Sequence, residues 1–71
     1  MNREGQRVEI YTYHSEGETI QGIVIKSSPP EVTGFDFWIH YIQADEYFLA
    51  NHLGENSKLC HRSESEIIKE L

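Results

Sequence analysis

The chain carries a single cysteine, Cys60, in 71 residues. A lone thiol closes no internal disulfide, which excludes the small stapled scaffolds of secreted proteins and points to a reducing compartment. Apolar runs are only a few residues long, far short of the ~18 that a helical membrane span requires. No basic-then-apolar stretch opens the chain as a signal peptide would, so a cytoplasmic location is expected. Basic residues are scarce: six Lys and Arg stand against twelve Asp and Glu, a formal charge of −6. The six positives, Arg3, Arg7, Lys26, Lys58, Arg62 and Lys69, are dispersed along the sequence. Nucleic acid and an anionic membrane surface are therefore disfavoured, and a basic protein partner is easier to accept. The sequence also lacks a Cys-x-x-Cys or His-x-x-x-His pair, a glycine-rich phosphate loop and a nucleophile elbow.

What remains is the composition of a folded protein, with 38% hydrophobic, 25% charged and 11% aromatic residues. A chain of this length forms one domain, 1–71, and buries only roughly 60% of the surface its unfolded form exposes. The core is thin, and there is no room for a cofactor domain beside a substrate domain.

Alternation of β-branched and aromatic residues is the main structural signal. From Arg7, residues Val8, Ile10 and Thr12 fall on one face and Glu9, Tyr11 and Tyr13 on the other. Ser15-Glu16-Gly17-Glu18 reads as a hairpin turn with Gly17 supplying a positive φ. A second strand runs from about Thr19 to Lys26, and Gly22 within it marks a bend or a close backbone approach. Pro29 and Pro30 end that strand. A third strand is expected from Phe35 or Asp36 to Gln43, with Phe35, Phe37, Ile39 and Tyr41 as its core face and Trp38 and His40 outside. Ala44-Asp45-Glu46 reads as a turn, Tyr47–Asn51 as a fourth strand, Leu53–Asn56 as a hairpin turn and Ser57–Arg62 as a fifth strand with Leu59 inward. Ser63-x-x-Glu66 is a capping box, and Ile67, Ile68 and Leu71 at helical spacing predict a terminal helix of about two turns that docks on the sheet. The expected core is Val8, Ile10, Ile20, Val24, Phe37, Ile39, Tyr41, Leu49, Leu59, Ile67 and Leu71.

Gly5-x-x-Val8-x-Ile10, Ile20-x-Gly22-x-Val24-Ile25, Trp38-Ile39-His40-Tyr41 and Ser65-Glu66-Ile67 together resemble the small SH3-like barrels, the group that includes Tudor-type and KOW-type modules. The resemblance spans nearly the whole chain. It implies a mainly β fold: a small five-stranded SH3-like barrel or roll with a short C-terminal helix. It also implies a binding or adaptor role. KOW-type modules are often basic, whereas this chain is acidic. Tudor-type modules hold methylated side chains in an aromatic cage, for which Trp38, Tyr11 and Tyr13 are the candidate rings here.

Three constellations could carry chemistry. The first is a binding surface of outward rings, Trp38 and His40 beside Tyr11 and Tyr13; rings bury much area at low entropic cost. The alternative places Trp38 under the terminal helix or the Pro29-Pro30 loop. The second is a metal site drawn from His14, His40, His52, Cys60 and His61. Adjacent residues on a strand point to opposite faces, which separates Cys60 from His61, so no metal and no cofactor is expected. The same geometry breaks up a thiol–base pair, so no enzyme is expected. The third is the acidic surface: Glu16, Glu18, Asp45, Glu46, Glu55, Glu64, Glu66 and Glu70 could imitate nucleic acid and occupy a basic groove, or simply confer solubility. The expected function is a non-catalytic interaction module binding a protein through exposed aromatics and acidic loops. The alternatives are a nucleic-acid-associated barrel and an acidic inhibitor that imitates nucleic acid. Self-association through open edges or the Trp38 face also fits the pattern.

Overall fold

The β-branched residues of β1 (Arg7–Tyr13) alternate in depth, with Val8 and Ile10 fully buried. In the computed structural model, which describes residues 1–13, 16–49 and 54–71, four more strands follow. They are β2 (Glu16–Ser28), β3 (Ile39–Leu49), β4 (Asn56–Ser63) and β5 (Ile67–Glu70). All pair antiparallel in one sheet of order β4-β3-β2-β1-β5. A single helical turn, α1 (Pro30–Thr33), interrupts the β2–β3 connection, and a 3₁₀ turn (Glu64–Glu66) joins β4 to β5. The fold is mainly β, as expected, but it is not a closed barrel. Among the described residues no ladder joins β4 to β5. The sheet is nevertheless rolled: Arg62 on β4 reaches past β3 and β2 to donate to the carbonyls of Tyr11 and Thr12 on β1, at 3.1 and 3.2 Å.

The interior is small. Val8, Ile10, Val24 and Ile42 form its centre, with Ile20, Cys60 and Ile67 packed against them. Registers explain the grouping, since Ile10 pairs with Ile20 and Ile67, and Val24 with Ile42, which pairs with Cys60. Between Val24 and Lys26 the β2–β3 register slips by one residue. This bulge puts Ile25 and Lys26 outside together and returns Ser27 to the interior.

Several sequence expectations are corrected. β3 begins at Ile39, so Phe35 and Phe37 lie in the connection and do not set its alternation. Within the true strand the buried residues are His40, Ile42, Ala44 and Phe48, the even face, and Tyr41 is exposed. The expected turn at Ala44–Glu46 is instead a register shift inside one continuous strand, and Tyr47–Leu49 belong to β3. Ala50 and Asn51 of the expected fourth strand, and Leu53 of the following turn, lie outside the described residues. On β4 the inward residues are Cys60 and Arg62, and Leu59 is exposed. Phe37, Leu49 and Leu71 of the expected core are exposed as well.

No terminal helix forms. The Ser63–Glu66 box is present, with the Glu66 carboxylate accepting from the Ser63 N–H at 2.9 Å, but it caps only the 3₁₀ turn. The chain then extends as β5 along β1. A two-turn helix is unstable alone, whereas β-branched Ile67 and Ile68 suit the open edge that β1 offers. Gly5 and Gln6 extend the β1–β2 ladder: Gly5 N–H donates to the Val24 carbonyl and Val24 N–H to the Gln6 carbonyl.

Gly22 is where a close approach was expected, and it is the tightest glycine in the fold. A Cβ there would lie 2.6 Å from the Gln43 carbonyl oxygen and 2.8 Å from the Ala44 Cα, both backbone. Gly22→Ala is therefore expected to destabilise the protein by about 1–3 kcal/mol, read as a lower urea midpoint. An unchanged midpoint would show that β2 and β3 are not packed this closely.

Candidate functional site

Two arrangements of polar and aromatic side chains stand out, one inside the roll and one on its outer face. Inside, the His40 ring is 0% exposed. Its Nδ1 lies 2.8 Å from the Ser27 Oγ and its Nε2 2.6 Å from the Glu64 Oε1. Ser27 and His40 are direct cross-strand partners, and the β2 bulge is what turns Ser27 inward to meet the ring. Ser27 Oγ also accepts from the Arg3 N–H at 3.0 Å, and the Ser27 N–H donates to Glu4 Oε2 at 3.0 Å. The Arg3 guanidinium closes the chain on Glu64, with Nη2 2.6 Å and Nε 3.1 Å from Oε2.

An ionised carboxylate only accepts, so the His40 Nε2 carries hydrogen; in the neutral ring Nδ1 then accepts from the Ser27 hydroxyl. The Glu64 carboxyl is held down to about 2, chiefly by the Arg3 hydrogen bonds and secondarily by His40, with burial opposing. The serine, histidine and glutamate are spaced like an acyl-transfer triad, but the ring is sealed from solvent and Ser27 is itself buried. Such a nucleophile reaches no substrate, so the arrangement works as a clasp joining the N-terminal segment, β2, β3 and the 3₁₀ turn.

The clasp decides where the expected site residues go. His40 is inside, contrary to the alternation expected for it. Trp38, half-buried, stacks on the His40 ring with centroids 6.3 Å apart and planes 10° apart, and its carbonyl accepts from the Glu64 N–H. Tyr11 is half-buried and Tyr13 exposed, both on β1, with β2 between them and β3. Trp38 and His40 thus meet each other, but the sheet order does not set β1 beside β3. Neighbouring Arg62 is also buried; its Nη1 donates to the His61 carbonyl at 2.7 Å, while its Nε has no partner.

Outside, sequence reasoning missed a groove. It encloses about 370 Å³ and is lined by Lys26 and Ser28 of β2, Val32, Thr33 and Phe35 of the connection, Ile39 and Tyr41 of β3, and His61 of β4. Lys26 and His61 flank Tyr41 because both are its register partners. The Lys26 Nζ sits 5.8 Å from the Tyr41 ring centroid and the His61 ring 6.2 Å from it. Phe35 stacks on Phe37 in near-parallel planes 5.1 Å apart. The α1 turn shapes this wall, and its left-handed residue, Gly34 at φ 79°, reverses the chain toward Phe35. The signal that could have revealed the groove is the two-proline stop at Pro29-Pro30. It delays the start of β3 and so puts Tyr41 outside.

Among the described residues no three His, Cys, Asp or Glu side chains converge as a metal site would need; His14 and His52 lie outside them. Cys60 and His61 face opposite sides, and burial pushes the Cys60 thiol up. Among the described residues no helix is long and apolar enough to cross a membrane. No family model matches the chain, and neither does any curated protein or solved structure.

The clasp has a pH signature. Because the Glu64 carboxyl titrates near 2 when folded, against 4.5 ordinarily, its stabilisation is fully present above about pH 4.5. It is lost as the pH falls from there toward 2. Glu64→Gln is therefore expected to lower the urea midpoint at pH 7, with the gap to the parent closing at pH 3. A gap that is constant with pH would show that the carboxylate is not held by Arg3.

Proposed function

We propose that this chain is a non-catalytic protein-interaction module of the SH3-like kind, an open roll that docks a partner protein on its outer face, in the reducing interior of the cell. The observation that carries this reading is the concentration of exposed apolar and aromatic side chains on that one face. Tyr41, Leu59, Ile23 and Ile25 project from neighbouring strands, and Phe35, Phe37 and Val32 crown the groove above them. A small domain seldom leaves so much contiguous apolar surface wet without a use for it. Aromatic anchors seated in a pocket are the usual source of binding energy at protein interfaces. The clasp supports the non-catalytic part of the reading, because its serine and histidine are both buried. Glu16 and Glu18 at the start of β2 and Asp45 and Glu46 on β3 are all exposed, and their negative charge suits steering a partner.

The experiment is affinity capture from the native host, identification of the retained protein and titration of that purified partner. Tyr41→Ala and Phe35→Ala are expected to weaken binding by about 2 kcal/mol or more, roughly 30-fold. Their melting temperatures should stay close to the parent's, since exposed substitutions move stability by only ~0.5 kcal/mol. Trp38→Ala should instead lower stability, because its ring covers His40. A gel-shift assay at low salt is expected to show no retardation of RNA or DNA. Retardation would favour the nucleic-acid alternative, and unaltered partner affinity in both ring variants would remove the groove from the interface.

A further inference from the structure

The groove differs in charge from the molecule around it. The protein as a whole is at −6, yet no Asp or Glu is among the residues lining this groove. Its only ionisable cations are Lys26 and His61, on either side of the Tyr41 ring. Lys26 has no carboxylate within salt-bridge distance among the described residues, whereas Arg3 and Arg7 are paired with Glu64 and Asp45. Lys26 is exposed because the β2 bulge carries it outside. Deeper in, Ser28 is only 4% exposed and contributes to the groove's lining. Thr33 is already used: its Oγ1 accepts from the Phe35 N–H and donates to the Phe37 carbonyl.

The Ser28 hydroxyl can donate to a ligand oxygen that enters the groove. An unpaired ammonium at the rim adds a charge-assisted donor. Between them lie the apolar side chains of Val32, Ile39, Phe35 and Tyr41, around about 370 Å³ of open space. We infer that the groove takes a short acidic–apolar segment of the partner protein. Its Asp or Glu carboxylate is received by Lys26 and Ser28, and the adjacent large apolar or aromatic side chain is seated against Tyr41 and Phe35. This rests on the docking reading above and specifies the partner's chemistry. Charge complementarity makes the choice: a basic segment would meet Lys26 as a like charge, and would find its carboxylates only outside the groove.

The test is to pan a random heptapeptide display library against the full chain, then titrate the synthetic consensus peptide into isotope-labelled protein. The expected consensus has Asp or Glu beside Leu, Phe, Tyr or Trp. Its binding should shift the amide resonances of Lys26, Ser28, Phe35, Ile39 and Tyr41, and weaken at high salt. Lys26→Ala should weaken it by about tenfold, the scale of one lost charge-assisted bond, and Lys26→Arg should restore it. Ser28→Ala should weaken it with little change in melting temperature. A basic or uncharged consensus whose binding is lost in Tyr41→Ala overturns the acidic preference while leaving the groove as a docking surface. Retained peptides indifferent to Tyr41→Ala and Phe35→Ala overturn both readings, as does a library from which nothing is retained.

Discussion

The hydrogen bonds that hold the His40 ring between Ser27 and Glu64 set the geometry of everything else in this small roll. A 71-residue chain has too little apolar volume to define its strand phases by hydrophobic burial alone. Here a buried imidazole with a partner on each nitrogen supplies the missing specification. Once the ring is enclosed, an unsatisfied nitrogen would cost about 1–3 kcal/mol, so any phase that leaves Ser27 or Glu64 out of reach is penalised. Arg3 extends the penalty to the N-terminal segment by pairing with the same carboxylate. Four pieces of chain far apart in sequence therefore close on a few atoms, at the point where the sheet rolls.

The functional surface follows from that phase. With His40 and Ile42 inside, Tyr41 must be outside, flanked by its register partners Lys26 and His61. The bulge that brings Ser27 to the imidazole is the same feature that leaves Lys26 and Ile25 outside. A regular β2 would have sent Lys26 and Ser27 to the opposite faces. The clasp and the groove are thus the two faces of one distortion, and a change on one side is felt on the other.

Much of the fold was legible from local chemistry. The alternation of Val8 and Ile10, the stop at Pro29-Pro30 and the capping box at Ser63–Glu66 each describe what forms. So does the crowding at Gly22. What was not legible depended on pairing between distant segments. β3 carries apolar residues on both faces, and counting Phe35 and Phe37 as strand residues tips the balance to the odd face, although both precede the strand. Nothing in the pattern of single residues shows that a histidine will find Ser27 and Glu64, residues 13 and 24 positions away. Ile67-Ile68 suited a helix by spacing and a strand by branching, and only the open edge of β1 decided between them. The candidate site was lost with the phase: His40 was expected outside and lies inside, and Tyr41 was taken for core and is exposed.

The most direct measurement is long-range ¹H–¹⁵N NMR of the His40 side chain in the unmodified protein. The clasp requires a hydrogen on Nε2 that exchanges slowly with water and shows nuclear Overhauser contacts to neighbouring core side chains. A His40 ring proton that exchanges too fast to observe, with nitrogen shifts of a freely solvated imidazole, would contradict the clasp and with it the strand phase that exposes Tyr41.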